Sequence, residues 1–173
     1  ILMEILSPEQ YDENVATKKG SRNVVEFAVK LPAEEDGFIY LPIDSKFPGD
    51  SYGAYRDAVD SGDKDRIEIT LKALLATIKS EAKDIHDKYI DPPNTTEFAI
   101  MFLPIEGLYI EALNMGLFEE IQREFKVNLA GPTTLTAILN SLQMGFKTLA
   151  VQKRSAEVWN VLSAVKNEFD KFE

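Results

Sequence analysis

The chain has no cysteine among its 173 residues, which excludes disulfides, thiolate nucleophiles and zinc–cysteine sites in one step. That absence fits a reducing compartment without requiring one. Histidine is nearly as scarce: His86 stands alone, so a histidine-rich metal site or a Ser-His-Asp triad has too few parts. Any catalysis falls to carboxylates, lysines, arginines or hydroxyls. Positive charge is also short. With a net charge of -10 and a pI near 4.7 the chain is unsuited to indiscriminate nucleic-acid binding, which draws its affinity from phosphate neutralisation by Lys and Arg. A DNA role would need a local basic patch. No apolar run approaches the roughly 18 to 20 residues of a membrane span, and no charged n-region leads into an apolar h-region as in a signal peptide. Internal repeats and low-complexity tracts are absent too.

What is present is a globular composition, 45% hydrophobic and 28% charged, on a length suited to one domain with a real core. The opening "ILMEILSPEQY" has the character of a helix tail without its start, and residues 1–13 are expected to be the last turns of a helix with a short turn near Pro8. The chain is accordingly expected to be the core fragment of a longer protein. A basic loop, "TKKGSR", follows at 17–22.

Residues 23–48, "NVVEFAVKLPAEEDGFIYLPIDSKFP", read as a β-hairpin. Period-2 alternation puts Val25, Phe27, Val29 and Leu31 on one face of the first strand and Glu26 and Lys30 on the other. In the second strand Ile39, Leu41 and Ile43 face one way, Tyr40, Asp44 and Lys46 the other. The turn "PAEEDG" carries breaker chemistry. If the apolar faces coincide, paired numbers sum to an even value, and a sum of 70 sets Glu26 across from Asp44.

Further along, Ile67, Leu71, Leu74, Ile78, Ala82, Ile85 and Tyr89 follow the three-four spacing of a helix over Lys64 to Tyr89, ended by "DPPNTT". "FAIMFL" at 98–103 is a buried strand. Residues 106–124 form one or two helices broken near Gly116, and "KVNLA" at 126–130 a short strand. From about residue 133 the chain is helical to its end, with Leu135, Ile138, Leu142, Leu149, Val158, Leu162, Val165 and Phe169 as its apolar stripe and a bend near Gly145. A terminal stripe this long often packs outside its own domain, so self-association through the terminal helices is expected. The fold class is α/β, a small mixed sheet flanked by helices with a long C-terminal helix.

Two carboxylates facing each other across a strand pair repel. A hard divalent cation would relieve that repulsion, since Mg²⁺ is held by one or two carboxylates with waters and phosphate oxygens. Lys46, on the same face as Asp44, reaches the same spot. Acid, acid, lysine and metal together equip a site for phosphodiester hydrolysis. The alternative is the solvated face of a half-exposed hairpin, with Lys46 paired to an acid for little net energy.

The blocks "VEFAVKLP", "LPIDSKFP", "FAIMFLPIEGLYIEAL" and "LAGPTTLTAIL" resemble, in order and approximate spacing, those of the RmuC family, whose members are DNA recombination proteins. The resemblance runs from about Leu6 to at least Val151. It implies a single nuclease-like domain over 1–173 with a restriction-endonuclease-like PD-(D/E)xK core. The metal acids then fall on Glu26 and Asp44, the lysine on Lys46, and the Ser45 carbonyl becomes a metal ligand for Mg²⁺ or Mn²⁺. Glu26 and Val25 stand where relatives carry Asp after Pro. A further acid is often drawn from the first helix, for which Glu4 and Glu9 are the substitutes here. The implied partner is DNA, with no small-molecule cofactor and no membrane contact from this segment. The domain would lie on the cytoplasmic side, the full-length protein being anchored to the inner face of the membrane and carrying coiled-coil arms. A catalytically inactive module that binds DNA or partner proteins is the alternative.

Lys18, Lys19, Arg22 and Lys30 are candidate DNA-backbone contacts near the hairpin, and Lys147, Lys153 and Arg154 a second basic group. Thr133 and Thr134 could cap a helix whose amide end meets a phosphate, or simply cap it. Glu106 is a helix-start acid or a cleft residue. His86, Trp159 and Phe169 are expected to pack.

Overall fold

The computed structural model describes residues 1–33 and 37–169, the last three as backbone only, and its centre is a five-stranded mixed sheet. In chain order the elements are α1 (Leu2–Ile5), a 3-10 turn (Pro8–Gln10), β1 (Tyr11–Val15), β2 (Val25–Pro32), β3 (Phe38–Ser45), α2 (Gly49–Ser61), α3 (Lys64–Tyr89), β4 (Ala99–Phe102), α4 (Glu106–Asn114), α5 (Leu117–Phe125), β5 (Val127–Ala130) and α6 (Pro132–Phe169). The strands lie in sequence order across the sheet. β1, β2 and β3 are antiparallel; β4 and β5 continue parallel to β3.

Local chemistry sets the ends of these elements. The Asp63 side chain accepts hydrogen bonds from the Asp65 and Arg66 amides and so caps α3, whose other end comes just before Pro92. Gly116, with φ of 70°, takes the left-handed turn that separates α4 from α5. The three-four stripe of α3 buries Leu74, Ile78, Ala82, Ile85 and Tyr89 as its spacing predicts.

Helices cover both faces of the sheet. Ala28, Ala99, Met101, Val127 and Leu129 pack with α2 to α5 in one layer; Val29, Leu41, Ile43, Ile100 and Ala130 pack with α1 and the first turns of α6 in the other. β4 therefore alternates between two apolar layers, which is why its sequence is apolar throughout. No helix among the described residues is long and apolar enough to cross a membrane.

The structure corrects several expectations. Residues 11–15 are an edge strand, not the end of a helix. α2 was not anticipated: its Gly- and Asp-rich start is a poor helix former, and the helix is held by burial of Tyr55 and Ala58. Val25 joins the layer of α3 instead of following Phe27, Val29 and Leu31. Val15 pairs with Val25 and Glu13 with Phe27, so Asn14, at φ of 50°, lies opposite Glu26. Its left-handed backbone twists the ladder there, and strict alternation fails at that point. α6 passes Gly145 without interruption. Only the beginning of its stripe packs on the sheet: Leu135 is buried, whereas Leu149, Val158, Leu162 and Val165 are exposed, and so is Trp159, at 68%. The Phe169 side chain and the hairpin tip at 34–36 lie outside the described residues.

Candidate functional site

β2 and β3 pair in the register whose numbers sum to 70, from Pro32 opposite Phe38 to Phe27 opposite Ile43. At the far end of β3, Asp44 and Ser45 pair in parallel with Met101 and Phe102, and the Lys46 amide donates to the Phe102 carbonyl at 2.9 Å. The backbone that carries Asp44, Ser45 and Lys46 is thus fixed from the β4 side. Alternation sends Ile43 into the α6 layer and Asp44 toward α3, where it is only 4% exposed.

A carboxylate this deep needs a counter-charge. Lys46 supplies it, its Nζ 2.8 Å from Asp44 Oδ2 with the lysine side chain 30% exposed. The contact is an ion pair without hydrogen-bond alignment, since Asp44 Oδ2 is a buried oxygen with no aligned donor. Burial works against the Lys46 charge, but Asp44 beside it, with Tyr89 and Glu81 further off, more than offsets this and holds the lysine pKa above its ordinary value.

Glu26 sits where the β1–β2 ladder is twisted. Continuing the register places it across from Asp44, yet its carboxylate Oε2 accepts a hydrogen bond from the Ser45 amide at 3.3 Å. Among the described residues no ion pair joins it to Asp44 or Lys46. It also lines a cavity of about 440 Å³ with Phe27, Ile43, Ser45, Phe102 and Leu135 on the α6 side. The three expected residues are therefore gathered at one end of the sheet, with Asp44 and Lys46 in contact and Glu26 on the flank.

Two further residues belong to this corner. Glu81 projects from the packed side of α3, and its Oε2 is a second buried oxygen without a hydrogen-bond partner. Burial raises the Glu81 pKa; Lys46 opposes that rise, while Asp44 and Asp84 add to it. Tyr89, buried at the end of α3, has its pKa raised by burial and then by Asp44. Sequence reasoning treated Tyr89 as core and passed over Glu81. A signal was available: Glu81 is three residues after Ile78 and four before Ile85, an acid in the middle of an apolar stripe. Glu4 and Glu9, expected as substitutes for a helix acid, lie elsewhere: Glu4 is exposed and pairs with the amino terminus, and Glu9 is in the first turn after Ser7.

The basic residues are less free than their numbers suggest. The Lys18 ammonium donates to the Asp87 carbonyl, the Lys19 amide to Asp91, and Thr17 to the Tyr89 carbonyl, which fastens the 17–22 loop to the end of α3 near the acid–lysine corner. Arg22 is exposed. Lys30 is bound to Asp12 at 2.8 Å and lies 5.5 Å from the Phe38 ring centroid. Lys147 and Arg154 are exposed on α6.

The other candidates are structural. The Thr133 amide donates to Glu106 Oε2 at 3.1 Å, so one carboxylate serves the first turns of both α4 and α6. Gly131 permits this arrangement: a Cβ there would stand 2.8 Å from the Tyr109 ring and 3.0 Å from Glu106. The His86 Nδ1–H donates to the Phe125 carbonyl at 2.7 Å, a packing role.

Among the described residues no group of three or more His, Cys, Asp or Glu side chains could by itself hold a metal ion. A buried Glu81 oxygen without a hydrogen-bond partner, beside an Asp44 carboxylate whose counter-charge is Lys46, is nevertheless the chemistry a hard cation satisfies, and Mg²⁺ needs no more than one or two protein carboxylates when waters and phosphate complete its shell. The donor set fits such an ion, provided that Lys46 moves off Asp44.

A sequence model of the RmuC family matches residues 1–173. The chain is 49% identical over 175 residues to the DNA recombination protein RmuC homolog of Xylella fastidiosa strain Temecula1, and equally to that of strain 9a5c, covering 99% of the chain and 38% of each relative. To the homolog of Haemophilus influenzae it is 30% identical over 168 residues, 89% of the chain and 35% of the relative. The chain thus spans 38% of the length of the Xylella relatives it matches. No solved structure matches.

Proposed function

The chain belongs to the RmuC family, and we propose that its Asp44–Lys46 corner is the phosphodiester-cleaving centre of a DNA nuclease acting in recombination or on unusual DNA structures. The observation that carries this reading is a carboxylate 4% exposed, with one oxygen lacking an aligned donor, in contact with a lysine at the end of a central strand. Proteins rarely bury such a group without a use for it. The restriction-endonuclease-like resemblance of the "PIDSKFP" block assigns the same two residues, and the relatives' name supports DNA as the partner.

Asp44 would hold Mg²⁺ or Mn²⁺ together with Glu81, whose buried oxygen shares the corner, or, as the resemblance implies, together with Glu26 and the Ser45 carbonyl. Bound there, the cation supplies Lewis-acid charge against a phosphate oxygen. Lys46, held as an ammonium by Asp44 in the metal-free structure, would orient water or a phosphate oxygen as a donor. Arg22 and the Lys18–Lys19 loop, fastened beside Tyr89, would meet the DNA backbone. Lys30, already neutralised by Asp12, contributes less.

The test is Lys46→Ala. Cleavage of branched or single-stranded DNA should disappear while the circular dichroism spectrum is retained, and a variant that cuts as well as the parent would sink the proposal. A second reading, a nuclease-like module that binds DNA or partners without cutting, is favoured by the direct Lys46–Asp44 contact and by the Ser45 amide on Glu26. Calorimetric titration with Mn²⁺ separates the two. Uptake that Asp44→Asn removes supports the nuclease; no uptake by the folded chain supports the binding module.

A further inference from the structure

Resting on the nuclease reading with Asp44 and Glu81 at the metal, which leaves Glu26 free, we propose that the cavity beside Glu26 receives one unpaired base of the bound strand. Its carboxylate selects bases that carry an exocyclic amino group. Ile43 and Ser45, two apart on β3, turn the same face toward α6; Phe27 pairs with Ile43, and Phe102 with Ser45. These four residues floor a cavity of about 440 Å³, walled by Met3 of α1 and Leu135 of α6.

Size, lining and position limit what this cavity holds. Pockets for small molecules run from about 300 to 1,000 Å³, so the space suits a group of nucleoside size and excludes a duplex. The lining is largely apolar and includes two phenylalanines, surroundings that replace the stacking a base gives up when it leaves its neighbours. Phosphate is kept out, because the lining includes the carboxylates of Glu4 and Glu26 and no lysine or arginine. The cation stands just outside: Lys46, on Asp44, is the residue after Ser45. β2 and β3 stop pairing at Phe27 and Ile43. At that open end of the hairpin a strand held by its phosphate at Asp44 and Lys46 can turn a neighbouring base past Glu26 toward the α6 side.

Glu26 is suited to read that base. Its Oε2 accepts from the Ser45 amide at 3.3 Å, which steadies an exposed side chain and leaves Oε1 as an acceptor at the cavity. A carboxylate accepts well from the N4 amino group of cytosine. Thymine presents an oxygen at the same position, and two acceptors facing one another repel.

Free nucleosides test the cavity without phosphate, metal or cleavage. In methyl NMR spectra of the folded chain, deoxycytidine at millimolar concentration should move the Met3 and Ile43 methyl resonances through the ring current of the bound base. Thymidine should bind at least about fivefold more weakly, the low end for one base-reading contact. Glu26→Gln, whose amide both donates and accepts, should bring the two nucleosides to within about twofold of each other while the circular dichroism spectrum stays that of the parent. Unmoved Met3 and Ile43 resonances overturn the proposal, as does equal binding of the two nucleosides by the wild-type chain. The nuclease reading fails separately, through undiminished cleavage by Lys46→Ala or absence of Mn²⁺ uptake. A chain that prefers deoxycytidine as expected yet neither cuts nor takes up Mn²⁺ would keep the base site as part of a binding module.

Discussion

Adding one methyl group at Gly131 tests how tightly the end of β5 is packed. The alanine Cβ would meet the Tyr109 ring at 2.8 and 2.9 Å and the Glu106 carboxylate at 3.0 Å. Tyr109 is 9% exposed and has little room to retreat. Forcing an extra carbon into such a site costs about 1–3 kcal/mol. Against this, Gly131 lacks a positive φ, so alanine suits the backbone and recovers roughly 0.4–1 kcal/mol by restricting the unfolded chain. With a flat ring and a carboxylate both at 3.0 Å or less the overpacking cost lies in the upper half of its range and wins, leaving a net loss of about 1–2.6 kcal/mol, or a melting temperature lower by roughly 2–10 °C for a chain of this size. Gly145→Ala provides the contrast. Nothing lies within 4 Å of its Cβ position in the middle of α6, so the same substitution should gain about 0.5–1 kcal/mol from helix propensity. Thermal and urea unfolding followed by circular dichroism would measure both. A Gly131→Ala chain as stable as the parent would refute the close packing of Tyr109, Glu106 and the start of α6.

Other expectations address the site and the core. Because burial raises the Glu81 pKa above the ordinary 4.5, folding favours the protonated acid, and this contribution is lost as pH climbs through the raised value. Glu81→Gln, neutral throughout, should therefore gain stability relative to wild type from acid toward neutral pH; a pH-independent difference in urea midpoint would contradict this. Arg22→Ala should weaken DNA binding and reduce the salt slope of log K by about 1, whereas Lys30→Ala, losing a charge already matched by Asp12, should leave the slope nearly unchanged. Fluorescence anisotropy against salt concentration distinguishes these, and equal slopes for the two variants would rule out the assignment. Leu74→Ala, at a fully buried position of α3, should cost about 2–5 kcal/mol in urea unfolding, and a loss under 1 kcal/mol would argue against the α3 layer as the main core.

How far the sequence reveals this structure depends on what holds each element. α3 and β4 were legible because burial demands continuous patterning: a three-four stripe in one and an unbroken apolar run in the other. β1 was not, because its pattern is that of an exposed edge with Asp12 and Glu13, and it becomes a strand through pairing with β2. α2 was hidden by poor intrinsic propensity. In the candidate site, Asp44 and Lys46 could be associated because residues two apart on a strand share a face. Glu81 reaches the same corner from a helix that follows a long connection, and no local spacing links it to Asp44. The observed β2–β3 register ends at Phe27 opposite Ile43, one pair short of Glu26, whose neighbour across the edge ladder, Asn14, has a left-handed backbone that apolar alternation does not encode.

The twisted end of β1 also bears on how copies of the chain avoid one another. An open sheet edge invites strand addition, and repeated addition is the route to aggregation. β1 is short, carries Asp12 and Glu13, and is interrupted by left-handed Asn14. A neighbouring strand could extend the ladder along it for only a few residues before meeting a kink and carboxylate charge. Left-handed Asn14 thus guards the sheet against polymerisation, and straightening the strand would expose an adhesive edge.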